Sequence, residues 1–272
     1  MLSADTTHTG GKARGCGSFR RRLQLAVLVL QFVQSLGSPL PHGSLPLRHL
    51  RGGSADADAT PALTREEVSE KLNNIPTFAI LNAEDQMISL GAVGAEPCFT
   101  FYTDAVEVQA VLQQAAAANS ALDLHLGVTP LGIAFEMCGG WAQVGGEARS
   151  SSSQRFKLQG PSESLDDPSK LVEQLEMRGI NGARWLLPVF AAEAFHDLEM
   201  IPWFLSKADL AAGWVRTGRP ELNVPEKLIS MDIRDLVLRM QTAGSTIPWR
   251  KVQLISSMQA IELAQATATE ED

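Results

Sequence analysis

The chain has 272 residues, 44% of them hydrophobic and 20% charged, with a formal net charge of −8. The charge is unevenly spread: the first 63 residues carry seven Lys/Arg against three Asp/Glu, and the remaining 209 carry 16 against 28. A body with a net charge of −12 excludes readers of nucleic-acid phosphates and proteins held to anionic lipid by a basic patch, since both need clustered Lys/Arg. It is compatible with steered contact to basic peptides such as transit peptides.

The first elements form an address rather than a domain. Arg20, Arg21 and Arg22 precede an apolar run from Leu23 to Val33, and small and polar residues follow at Gln34–Ser38. That order is the grammar of a secretory signal peptide. The run falls short of the roughly 20 apolar residues that span a bilayer. Ser35-Leu36-Gly37 places the cut between Gly37 and Ser38. The next stretch, SPLPHGSLPLRHLRGG from Ser38 to Gly53, lacks acidic residues and carries Arg48, Arg51, His42 and His49. Basic, acid-poor, Ser/Pro-bearing composition matches a transit peptide. The expected organisation is a signal peptide over 1–37, a transit-like segment over 38–63, a body over 64–268 and an acidic tail over 269–272. A signal peptide followed by a plain Pro-rich linker on a secreted protein is the other reading of the leader.

The body opens with Thr64-Arg65-Glu66-Glu67, a capping box, and Val68 and Leu72 share one helical face before Asn73-Asn74 stops the helix. Ile75–Leu81 reads as a buried strand, Asn82–Asp85 as a turn and Gln86–Leu90 as a return strand. Cys98–Tyr102 is a further strand. Asp104 and Glu107 then open a helix whose stripe is Val108, Val111, Leu112 and Ala115. Leu124–Phe135 is strand-like, broken by Pro130 and Gly132. Gly139–Ser153 reads as a Gly/Ser-rich loop whose spacing fits neither GxGxxG nor the Walker pattern. A short strand follows over Arg155–Leu158. Asp167-Pro168 caps a helix carrying Leu171, Val172 and Leu175, which Gly179 ends.

The pattern then repeats. Leu187-Pro188-Val189-Phe190 echoes Ile75-Pro76-Thr77-Phe78, and Phe204–Ala208 echoes Phe101–Ala105, again a strand running into a capped helix. Ser206 with Asp209 forms that cap, and Leu210 with Trp214 the stripe. Val224–Ser230 is strand-like. Asp232 caps a helix with Ile233, Leu236, Val237 and Met240 inside, and Lys251–Ser256 is the last strand. Two passes through one strand–helix order predict a duplicated, two-lobed, layered α/β body with apolar pockets, its lobes near 64–180 and 181–268.

No catalytic, cofactor or metal signature emerges. HExxH, GxSxG and paired-histidine clusters are absent. His125 lies in an apolar strand and His196-Asp197 in a turn. Asp166-Asp167 pairs two carboxylates, but Asp167 already serves as a cap. Cys98 and Cys138 lie forty residues apart without a CxxC; they read as small buried thiols, with one bridge between them as the alternative. An enzyme reading would need Cys98, His125 and a carboxylate to converge. The remaining chemistry is apolar. Phe78, Phe190, Trp203, Phe204 and Trp214, with Trp185, gather around the repeated motifs. They serve either as core or as the lining of grooves for an extended or unfolded peptide.

With these residues on the page, the body from about Glu66 to Met258 resembles the twenty-two-kilodalton component of the translocon at the inner envelope of chloroplasts. The resemblance rests on Lys71-Leu72 with Ile75-Pro76-Thr77-Phe78, on Cys98-Phe99 with Thr103-Asp104-Ala105, and on Gly179-Ile180 with Leu187-Pro188-Val189-Phe190. It continues through Ile201-Pro202-Trp203-Phe204-Leu205-Ser206-Lys207-Ala208-Asp209-Leu210 and the late Asp232 helix with Trp249. It implies a duplicated α/β fold and no catalytic residues or cofactor. It also implies a soluble or peripheral protein between plastid envelope membranes, with preproteins and translocon subunits as partners and a chaperone-like role. The Gly139–Ser153 segment is longer than the resemblance implies. The leader then fits a complex plastid reached through the secretory pathway. The other function class is a lumenal or secreted α/β enzyme, and a third is a structural protein sharing only the fold. N-terminal sequencing of the native protein should find one processed form starting at Ser38 and a second starting between Arg51 and Ala62. A secreted form that keeps Ser38–Gly53 intact would contradict the two-step leader.

Overall fold

A computed structural model of the chain describes residues 60–90, 96–145, 155–165, 167–196, 198–218, 220, 224–225 and 228–270. The signal and transit-like segments, the proposed cut at Gly37–Ser38, most of the Gly/Ser-rich loop, Asp166, Asp197 and the last two residues lie outside the described residues.

The first half runs α1 (Arg65–Leu72), β1 (Pro76–Leu81), β2 (Phe99–Tyr102), α2 (Ala105–Ala118), β3 (His125–Pro130), α3 (Leu131–Met137), α4 (Gly140–Val144), β4 (Phe156–Gln159) and α5 (Pro168–Glu176). The second runs β5 (Pro188–Ala191), β6 (Ile201–Phe204), α6 (Lys207–Arg216), β7 (Ile229–Asp232), α7 (Ile233–Met240), β8 (Val252–Ile255) and α8 (Met258–Glu270). Each half builds a four-stranded sheet with the same order, β3-β1-β2-β4 and β7-β5-β6-β8. In both, the central pair and one edge pair are antiparallel and the other edge pair is parallel. The registers also correspond: Phe78 faces Tyr102 as Phe190 faces Phe204. The amide of Leu131 donates to the Ile75 carbonyl, and that of Ile233 to the Leu187 carbonyl, at 2.8 and 2.9 Å. The duplication read from short echoes is therefore a duplication of topology.

Local chemistry sets the element starts. The Thr64 hydroxyl accepts from the Glu67 amide while the Glu67 carboxylate accepts from the Thr64 amide. Asp104, Asp167, Ser206 and Asp232 cap α2, α5, α6 and α7 with their side chains. Gly179, at φ 74°, ends α5 in the left-handed conformation. The Ile180 amide then reaches the Leu175 carbonyl and the Gly179 amide the Glu176 carbonyl, a Schellman closure with Leu175 and Ile180 both buried.

Four expectations change, the first at the Gly/Ser-rich loop, whose front Gly140–Val144 is helix α4. Gln86–Leu90 makes only an isolated bridge, Leu81 to Met87, and is no strand. Leu124–Phe135 divides: the strand ends at Pro130, and Leu131–Met137 is helix. Pro130 is the last strand residue and the helix N-cap at once, so one apolar run holds two elements. The second-half strand begins at Ile229 rather than Val224. The sequence reading also omitted α8, which extends beyond residue 268 into the expected acidic tail.

Alternation along the strands divides the core in three. The inner residues Ala79, Phe101 and Leu158 of the first sheet share one cluster with Val189, Trp203 and Leu254 of the second, joined by α1, α3 and α7. The outer face of the first sheet packs under α2 and α8, and that of the second under α6 and Phe195. The chain ends cross between the halves. At the front, Lys71 Nζ donates to the carbonyls of Arg250 and Val252 at 3.0 and 2.7 Å, and the Leu63 amide donates to Met240. Burial there holds the Lys71 amine below its ordinary pKa. At the back, α8 leaves β8 and packs on β1, β3 and α2.

Arg234 fastens the two halves together. Its guanidinium is fully buried and all five N–H groups are used, on Asp232 Oδ1 and Oδ2, Gln143 Oε1 and the carbonyls of Asn181 and Trp185. It lies 4.0 Å from the centre of the Trp185 ring. Asp232 also accepts the amides of Leu187 and Arg234. The equivalent place in the first half is Gly132, where a Cβ would clash with Asn73 Oδ1. Arg234→Met should cost about 3–5 kcal/mol, because the buried Asp232 charge loses its partner. Asp232→Leu added to it should recover only part of that loss, since the Leu187 and Arg234 amides then lose their acceptor; urea denaturation of the three variants measures both steps.

Candidate functional site

The five aromatic candidates are all at or below 6% exposed. Phe78 sits on the outer face of the first sheet with Ile80, Tyr102, Val108 and Leu126, covered by Ala260 and Ala264 of α8. Phe190 and Phe204 occupy the matching face of the second sheet beneath Leu210 and Trp214 of α6. Phe195 seals that face, its ring 6.1 Å from Phe204 and 5.6 Å from Trp214. The Trp214 indole donates to the Pro220 carbonyl at 3.0 Å. Trp203 fills the shared core between the sheets. The groove reading of these residues therefore gives way to core packing. Both faces of each sheet are covered, and each of the five candidates is buried within them. Trp185, the sixth aromatic of the group, stacks under Arg234 and donates its indole N–H to the Cys138 carbonyl at 3.3 Å.

The Cys98–His125 pairing is not assembled. His125 Nε2 lies 3.0 Å from Asp85 Oδ1 in an exposed turn. Cys98 is fixed through its backbone, which exchanges two hydrogen bonds with the Ser89 hydroxyl. Leu81 of β1 pairs with His125 on one side and bridges Met87 on the other, so β1 lies between His125 and the Gln86–Leu90 segment, whose Ser89 holds Cys98. Cys98 and Cys138 are both free thiols. Cys138 is buried, and desolvation pushes its thiol well above the ordinary range, which keeps it protonated. His196 ends a short 3-10 turn, with its Nε2 buried and without a hydrogen-bond partner among the described residues. No group of three or more His, Cys, Asp or Glu among the described residues could hold a metal ion. Among the described residues, no helix is long and apolar enough to cross a membrane.

A shallow recess opens on the outer face of the first sheet, lined by Ile80, Ile88, Leu90, Thr100 and Tyr102. Leu90 is exposed there, and burial pushes the Tyr102 hydroxyl pKa up. This recess borders the cluster that α8 covers. Sequence reasoning missed the region because its cover is the last helix, far downstream of the strands it protects. The Ala-rich face of α8 gave little periodic contrast to detect.

No protein-family model matches the sequence, and no curated protein matches it. Solved structures do match. Anabaena Tic22, a protein-transport protein, aligns with a TM-score of 0.50 at 16% identity, covering 75% of this chain and 97% of that one. Tic22 from Plasmodium falciparum aligns with a TM-score of 0.52 at 16% identity, covering 75% of this chain and 98% of that one. The chain has the Tic22 fold. Both Tic22 chains are matched almost end to end, so the likeness takes in the two sheets together rather than one half. It also agrees with the family that the sequence motifs resemble. Within this Tic22-like body, Phe78→Ala should destabilise by about 3–5 kcal/mol, as for a fully packed aromatic. Cys98→Ser should cost under about 1 kcal/mol, and a thiol reagent should modify Cys98 in the native body while Cys138 reacts only on unfolding.

Proposed function

We propose that the chain is a Tic22-type protein-import factor of a plastid: a non-enzymatic, soluble or peripheral protein that assists preproteins across envelope membranes. The observation that carries this reading is the whole-body likeness to two Tic22 structures, one of them a protein-transport protein. Three features of the chain support it. The body is acidic, which suits contact with basic targeting peptides. The leader reads as a signal peptide followed by a transit-like segment, the arrangement for a complex plastid reached through the secretory pathway. The motifs of the resemblance lie in order on the corresponding elements of the two halves.

On this reading the mature protein begins between Arg51 and Ala62, lies between plastid envelope membranes or peripheral to them, and meets preproteins and translocon subunits. A chaperone-like hold on unfolded segments requires no cofactor. Immunogold labelling combined with protease protection on isolated plastids tests the placement. The expected outcome is a peripheral signal protected until the outer membranes are opened. A signal in the secretory lumen would leave the likeness as one of fold without function.

A further inference from the structure

The segment ahead of α1 is built into the body. The Thr60 amide donates to the Ser245 carbonyl at 3.2 Å and the Gly244 amide to the Thr60 carbonyl at 3.3 Å, an antiparallel bridge onto the connection between α7 and β8. Gly244 stands at φ 89°, a conformation that favours glycine, and the Ser245 hydroxyl accepts the Ile247 amide, so the receiving turn has its own fixed shape. Pro61 follows Thr60, and a residue before proline is pushed toward extended backbone, as the bridge requires. The Leu63 amide then donates to the Met240 carbonyl at 2.8 Å, and the Leu63 side chain, 4% exposed, joins the core cluster shared by both sheets. Thr64 caps α1 immediately afterwards.

The end of α7 depends on this strap. The last four carbonyls of a helix have no partner within it. In α7, Val237 receives the Gln241 amide, Leu238 the Thr242 hydroxyl and Arg239 the Thr242 amide, all from residues just beyond the helix. Met240, 1% exposed, has its carbonyl answered by Leu63, from ahead of the first helix. A body that starts at Pro61 lacks the bridge. One that starts at Thr64 also loses a core side chain and leaves that buried carbonyl unpaired, which costs more than an exposed bond would. We infer that Thr60–Leu63 is the first structural segment of the mature body, and that the peptidase removing the transit-like segment hydrolyses no bond beyond Ala59–Thr60. Water adds across the cut peptide bond, leaving a carboxylate on the released leader and an α-amino group on the body. This deepens the import reading and rests on it for the existence of a second cut.

Terminal-amine labelling and mass spectrometry of the native protein read the start directly. The expected mature form begins between Gly52 and Thr60. A form beginning at Pro61 or later overturns the inference, and so does a single form beginning at Ser38, which would remove the second cut altogether. The strap is tested in the full chain. Leu63→Ala should lower the thermal midpoint by about 5 °C or more, as for a buried leucine in a body of this size. An unchanged midpoint overturns the strap. If the variant does not fold, hydrogen exchange on the unaltered chain decides. The amides of Thr60 and Leu63 should exchange about a hundredfold or more slower than free peptide, and exchange at the free rate overturns the strap. Localisation separates this inference from the import reading. A chain that begins between Gly52 and Thr60 but lies in the secretory lumen would sink the import reading and leave the strap. A plastid-envelope protein that begins at Pro61 or later would do the reverse.

Discussion

A single buried charge pair ties this molecule together. A buried guanidinium must find an acceptor for each of its five N–H groups. Arg234 finds them on α4 of the first half, on the segment between the halves, and on its own capping residue Asp232. Those acceptors converge only when both sheets are in place and the connection through Asn181 and Trp185 takes one path. Taking both charges out of water offsets much of what their mutual attraction contributes. The pair's effect is to penalise any arrangement in which the halves separate or slide, since that would leave a charge buried and unsatisfied. A duplicated fold needs such a device, because two similar sheets can otherwise pair in more than one way.

The crossing chain ends complement this lock. The front of the chain seals the second sheet through Lys71 and Leu63, and the back seals the first sheet through α8. Neither half can bury its apolar surface alone. The two ends differ in kind, however. Lys71 is fixed by charge-assisted hydrogen bonds to two carbonyls, whereas α8 is held chiefly by apolar contact through small side chains. The charge-assisted bonds are concentrated at the centre, and apolar contact alone closes the outer face of the first sheet.

Much of the fold was legible because its signals are local. Every cap named from the sequence, at Thr64, Asp104, Asp167, Ser206 and Asp232, caps a helix. The stripes Val108–Ala115 and Ile233–Met240 face the core as their spacing requires. The errors fall where local signal and tertiary context part. Pro130 ends a strand and starts a helix inside one apolar run, and periodicity cannot divide so short a stretch. Gln86–Leu90 alternates like a strand but secures only one bridge beside β1. The site was less legible than the fold. Aromatic residues clustered around repeated motifs signal burial, not the side from which a partner approaches. The covering of the first sheet's outer face by a distant Ala-lined helix appears only once long-range packing is known.

The account holds that this Tic22-like body meets preproteins in transit. Arresting a preprotein midway into isolated plastids, then crosslinking and recovering this chain under denaturing conditions, examines that claim most directly. The account predicts a covalent adduct that appears with import-competent preprotein and disappears when the preprotein's basic targeting segment is removed. An adduct that forms equally without the targeting segment, or none while other envelope components crosslink, would contradict it.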